Sequence, residues 1–163
     1  MDNNIKTMIN EESDNEELFY KISDYALEKE IKEGYDKLEE NEKNLFMVGK
    51  ILMEVNNGGF DQYFLNTEGI YARDTLHFLK LIGETKFSKL FSEAVNIFES
   101  DTTDDEKYDD FNELDDDFYE FDITAYKNLY DKCISYIRER VKQLQLIRNF
   151  LIWSNNCKFT IYK

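Results

Sequence analysis

The sequence predicts an all-α fold: a compact single-domain bundle of about six to seven helices. Three observations carry the prediction. The 163 residues are one domain's length, enough to bury a core. There is no proline and there are only six glycines, so the chain lacks the punctuation that an all-β domain needs. Apolar residues recur at intervals of three and four through most of the sequence.

The elements follow in order. Residues 1–13 read as a polar, flexible lead-in. From Asp14, Leu18, Ile22, Tyr25 and Lys29 keep helical spacing, with acids in the first turn and Gly34 as the stop. Leu45, Val48, Leu52 and Val55 predict a second helix that ends in "NNGG" at 56–59. "FDQYFLN" is one or two further turns. Ala72, Leu76, Leu79 and Ile82 mark a helix closed by Gly83, and Phe87, Leu90, Ala94 and Phe98 mark the next. Residues 100–108 read as a loop. The last clear helix aligns Tyr126, Tyr130, Cys133, Ile137 and Val141. The domain proper is thus 14–141, and 142–163 form a basic and apolar extension. There "FLIW", "SNN" and "KFTIYK" favour a short C-terminal β-hairpin over a prolonged helix, because β-branched and aromatic residues flank a turn-prone triplet.

Between the last two helices lies "DTTDDEKYDDFNELDDDFYEFD", residues 101–122, with a single lysine among its acids. At about 100° per residue, Phe111, Leu114, Phe118 and Phe121 fall on one stripe. Asp109, Glu113, Asp116 and Glu120 lie opposite, flanked by Asp110 and Asp117. The run is an amphipathic helix: aromatics anchor it and carboxylates point outward. With a rise of about 1.5 Å per residue, those four carboxylates are spaced roughly 5 Å apart along the axis. A DNA strand carries a phosphate about every 3.4 Å. Like charges at i,i+4 cost a few tenths of a kcal/mol per pair, which the apolar stripe must offset. The bland reading is a solvated face that confers solubility; the near absence of interspersed bases weakens it.

Composition excludes several classes. The net charge is −15. Residues 1–137 hold 34 acids and 14 bases and residues 138–163 hold one acid and six bases, so the body stands at −20 and the tail at +5. Such a field repels nucleic acid and anionic lipid and attracts basic partners. Direct nucleic-acid binding is not expected. "LQLIRNFLIW" is about half the roughly 20 residues of a membrane span, so no membrane role is expected either. Two cysteines and an acidic N-terminus predict a cytoplasmic protein.

Candidates for chemistry are few. The Ca²⁺-loop pattern requires a glycine that no start within 101–117 supplies. His77, the one histidine, sits amid core-type positions without a partner motif. Cys133 reads as a small core residue, and no nucleophile motif surrounds Cys157. No enzyme, cofactor or metal site is predicted.

The most distinctive string is "EVNNGGFDQYFLN", a helix end, two glycines and a fresh amphipathic start. It describes a sharp corner between packed helices, with Asn57, Gln62 and Asn66 placed to bond freed backbone groups. With "ARDTLHFLKLIGETKFSKLFSEA" and "FNELDDDFYEF", this string resembles the family of DNA-mimic-like bacterial proteins, a domain of unknown function with the pattern NGGFxQYFxN. The match falls on Asn57, Gly58, Gly59, Phe60, Gln62, Tyr63, Phe64 and Asn66, and the similarity covers about residues 17–138. The resemblance implies an all-helical fold, homodimerisation, and an acidic surface that occupies the DNA-binding face of a protein.

Two functions are weighed. The first is a nucleic-acid mimic whose carboxylates enter the groove of a basic nucleic-acid-binding protein, a regulator, nuclease or toxin. Its contact set is Asp109, Asp110, Glu113, Asp116, Asp117 and Glu120, rimmed by Asp101, Asp104, Asp105 and Asp122. The second is an immunity or antitoxin protein that neutralises one cognate toxin through apolar anchors. Steep salt dependence marks the first, and binding that survives salt marks the second.

Overall fold

The computed structural model describes residues 3–158. Within them are seven α-helices: α1 (Asn3–Glu11), α2 (Asn15–Glu33), α3 (Glu40–Thr67), α4 (Ala72–Leu81), α5 (Thr85–Phe98), α6 (Asp104–Tyr119) and α7 (Ile123–Lys158). A 3₁₀ turn at Tyr35–Lys37 joins α2 to α3. The predicted all-α bundle is what the chain forms.

Helix starts follow the capping chemistry of the sequence. Asp14 Oδ1 accepts the N–H groups of Glu16 and Glu17 to open α2, and Gly34, at φ 95°, closes it. Glu39 and Glu42 form a capping box at the start of α3. Buried Glu42 also receives Lys29 Nζ from α2 at 2.8 Å, which ties the two helices together. The main core cluster draws on every helix, with Leu18, Phe19, Leu45, Tyr63, Phe78 and Leu129 among its fully buried members, and a smaller one gathers Ala26, Leu38, Phe46, Met47 and Tyr71.

Three expectations require correction. The supposed lead-in contains α1, because Ile5, Met8 and Ile9 recur at helical spacing; Ile5 is 1% exposed and the other two pack against the core. The supposed loop at 100–108 is shorter, since α6 starts at Asp104. The C-terminal hairpin does not form over the described residues. "FLIW" and "SNN" continue α7 as helix through Lys158, and residues 159–163 of the expected second strand lie outside the described part. An unbroken i→i−4 ladder needs no turn, and without glycine or proline after Gly83 nothing interrupts it.

Candidate functional site

α3 breaks in the middle. Gly58 (φ −169°, ψ 28°) and Gly59 (φ 79°, ψ −177°) leave helical geometry, so the chain turns a corner and resumes at Phe60. The conformation of Gly59 is open essentially to glycine alone. A break of this kind orphans carbonyls on one side and N–H groups on the other.

α6 supplies the missing partners. Asp115 Oδ1 accepts the Phe60 N–H at 2.8 Å, and the Tyr119 hydroxyl donates to the Val55 carbonyl at 2.6 Å. The approach is close enough that a Cβ on Gly59 would collide with the Asp115 carboxylate. Aromatic contacts extend the same seam: Phe111 stacks on Phe64 at 5.4 Å between ring centres, and Phe118 meets Phe60 edge-on at 5.9 Å. The glycine corner and the acidic run are therefore two halves of one unit.

A second polar knot stiffens the corner from the other side. Buried Glu54 accepts Lys50 Nζ at 2.7 Å, Gln62 Nε2 at 3.0 Å and Asn66 Nδ2 at 2.7 Å. Burial alone raises the Glu54 pKa, but the hydrogen bonds from Lys50, Gln62 and Asn66, with the Lys50 charge, outweigh it and hold the carboxyl below its usual range. Gln62 and Asn66 thus bond a carboxylate across the bend, and not the freed backbone groups that the sequence reading assigns to them. Asn57 is exposed, while Phe60, Tyr63 and Phe64 are core.

With its inner face fixed, α6 presents its outer face to solvent. Thr103 and Glu106 form a capping box, with the Thr103 N–H donating to Glu106 Oε2 at 2.9 Å. This T-x-x-E pattern is the signal that places the helix start inside the supposed loop. Phe111 is 3% exposed and Phe118 is fully buried. All ten predicted contact acids are exposed. Asp104, Asp105, Asp109, Asp110, Glu113, Asp116 and Asp117 lie on α6, Asp101 precedes it, and Glu120 ends it. Asp122 has a local task as well, since its Oδ1 accepts the Ala125 N–H at the start of α7. Glu93 of α5, absent from the predicted set, joins Asp110, Glu113 and Asp117 along a groove of about 530 Å³ between α5 and α6.

Asp115 is the exception in the acidic run: half-buried and turned inward, it was passed over by periodicity, which cannot show what a helix end elsewhere needs. Its pKa is raised, chiefly by burial and further by Asp116 and Asp61, against the pull of the Phe60 N–H.

Several cations of the fold are engaged elsewhere. Lys50 pairs with Glu54, Lys132 with Glu84 at 2.7 Å, Arg73 with Glu99 at 2.9 Å and Arg140 with Glu40 at 2.9 Å. Lys107, the one base within the acidic run, reaches back to the Phe98 carbonyl at 3.0 Å. Among the described residues, none of the ten acids is within ion-pairing distance of a Lys or Arg. Asp116 and Asp117 even stand in the last turn of α6, where a helix dipole disfavours negative charge. The face keeps its charge at a cost to the helix that bears it.

Other candidates resolve simply. His77 points to solvent, not into the core. Cys133 is wholly buried, and burial pushes its thiol far up. Among the described residues, no group of three or more His, Cys, Asp or Glu is placed to hold a metal, and no helix is long and apolar enough to cross a membrane.

Fold and site together define an all-helical acidic protein with a dense run of unpaired carboxylates on one packed helix. The DMP19-like protein family matches residues 36–140, more than half of the chain, and the chain belongs to that family. No curated protein and no solved structure matches it.

Proposed function

We propose that the protein is a non-enzymatic polyanion mimic, whose α6 face enters the basic groove of a DNA- or RNA-binding protein and excludes its nucleic acid. One observation carries the reading: the α6 acids are fixed in a row by a buried aromatic stripe and, among the described residues, none of them pairs with a Lys or Arg, while eight acids elsewhere in the fold do. A face meant only for solubility gains nothing from rigid placement. A face that replaces phosphates needs its charges held in advance, so that ordering them costs no entropy on binding. Family membership supports the same reading.

The contact set is Asp109, Asp110, Glu113, Asp116, Asp117 and Glu120, bordered on α5 by Glu93, which Lys89 Nζ approaches at 3.8 Å. Binding through such a surface is fast at low salt and weakens steeply as salt rises. The test is capture of basic proteins from a lysate, followed by competition with duplex DNA on the captured species. The variant D109N/E113Q/D116N/E120Q should lose capture while its helical signal is unchanged. Undiminished capture by that variant, or capture that duplex DNA fails to compete, overturns the reading.

A further inference from the structure

α2 and α3 leave a cleft between them. The two helices touch at Ser23 and Gly49, where a Cβ added to the glycine would strike the Ser23 hydroxyl. Beside that contact is an open space of about 270 Å³, walled by Tyr20 and Leu27 of α2 and by Phe46, Leu52 and Met53 of α3. Tyr20 is 43% exposed and Met53 is 38% exposed, so both turn apolar surface to solvent. Most polar groups of the lining are bound within the fold. The Tyr20 and Tyr130 hydroxyls share a hydrogen bond at 2.6 Å, Ser23 donates to the Leu45 carbonyl at 3.3 Å, Asn56 donates to the Leu52 carbonyl at 2.6 Å, and Lys50 is held on Glu54 at 2.7 Å. Asp24 is the exception: an exposed carboxylate of the lining, with no ion pair or side-chain hydrogen bond among the described residues.

We propose that this cleft is an apolar anchor site for the partner of the α6 face: it takes one bulky apolar side chain, of the phenylalanine or leucine kind, carried between basic residues on that protein. In its choice of partner the proposal rests on the polyanion-mimic reading. Three observations select the occupant. The first is size. Small-molecule sites begin at about 300 Å³, so a cleft of about 270 Å³ suits a single large side chain better than a cofactor. The second is charge. The lining offers one free carboxylate and no free cation, in a body that stands at −20, so the apolar group that enters is flanked by cations. The third is position. Asn56 of the lining follows Val55, whose carbonyl receives the Tyr119 hydroxyl of α6 at 2.6 Å, so the cleft adjoins the end of the acidic helix and one partner reaches both. The two surfaces then divide the work. The α6 carboxylates set how fast the partner arrives, and the desolvated anchor sets how long it stays.

The probes are two labelled peptides, KRKFKRK and KRKAKRK, titrated into the full-length protein. The phenylalanine peptide should bind at least about tenfold tighter. That margin should persist in high salt, which weakens both peptides but does not screen apolar burial. Met53 is one of four methionines, and its isotope-labelled methyl resonance should move with the phenylalanine peptide and stay in place with the alanine peptide. Met53→Lys, at an exposed position, should erase the margin with helical content unchanged. Asp24→Asn should weaken both peptides, more at low salt than at high salt. D109N/E113Q/D116N/E120Q should weaken both alike and leave the margin standing; an effect on neither peptide would overturn the mimic reading and not the anchor. Equal affinity of the two peptides, a margin that survives M53K, or a Met53 methyl indifferent to the phenylalanine peptide each overturns the anchor and leaves the reading of the α6 face untouched.

Discussion

Asp115 accepts the backbone N–H of Phe60 at 2.8 Å, across 55 residues of sequence. The bond gives the most distinctive stretch of the chain and its most acidic stretch a common purpose. A helix broken at Gly58 and Gly59 is spliced by the inner edge of α6, and the outer edge of α6 is thereby fixed in space. Changes at this seam test the arrangement directly.

Asp115→Ala should cost about 1 kcal/mol, the usual value of a lost helix-capping acceptor. Asp115→Asn keeps an acceptor and removes a partly buried charge, so its stability at neutral pH should equal or exceed that of the wild type. Denaturant melts of both variants distinguish a latch from a surface carboxylate, for which the two substitutions would be alike. The raised pKa adds a sign: the contribution of Asp115 is complete below the ordinary carboxyl range and fades as pH rises through the raised value. That fade should be absent in D115N.

Glu54 should behave in the opposite sense. Its lowered pKa means that its stabilisation is present above the ordinary carboxyl range and is lost as pH falls through the lower folded value. Glu54→Ala should cost about 2 kcal/mol at neutral pH by leaving Lys50, Gln62 and Asn66 without their acceptor. Stability curves for wild type and variant should converge in acid. Parallel curves would show that the knot carries no charge-dependent energy.

Gly59→Ala should cost at least about 2 kcal/mol, from a backbone region closed to side chains together with the collision against Asp115. Adding D115A relieves the collision but not the backbone, so the double variant should remain less stable than D115A alone. At Gly58 an added methyl meets mainly the end of the flexible Gln62 side chain, and G58A should be the milder change.

Tyr119→Phe removes the hydroxyl that satisfies the Val55 carbonyl and should cost about 1 kcal/mol. D109N/E113Q/D116N/E120Q should instead raise stability by up to about 1 kcal/mol, because it removes like-charge neighbours and negative charge near the helix C-terminus. A thermal melt of that variant, set beside its loss of partner capture, separates what the face does for the fold from what it does for binding.

The amphipathic period of α6 was legible in one dimension, since Phe111, Leu114 and Phe118 repeat at three and four and the acids fill the remaining phase. The corner was legible for the same reason: paired glycines after a helical run have few other uses. Two short signals mark the starts that longer periodicity does not show, namely the i,i+3,i+4 spacing of Ile5, Met8 and Ile9 in α1 and the T-x-x-E cap at Thr103. In the tail local preference is weak, for "FLIW" suits a strand or a helix equally, and the running ladder of α7 decides for helix.

Local chemistry therefore determined the helices, the core stripe and the sign of the exposed surface, because each depends on residues within a turn or two of one another. Only tertiary structure decided that Asp115 turns inward, that Gln62 and Asn66 serve Glu54, that Glu93 joins the anionic groove, and that α7 continues past the last contact that could cover it. Those outcomes depend on which backbone groups another element leaves unsatisfied and which side chains its packing brings near, and no periodicity along a single chain encodes that.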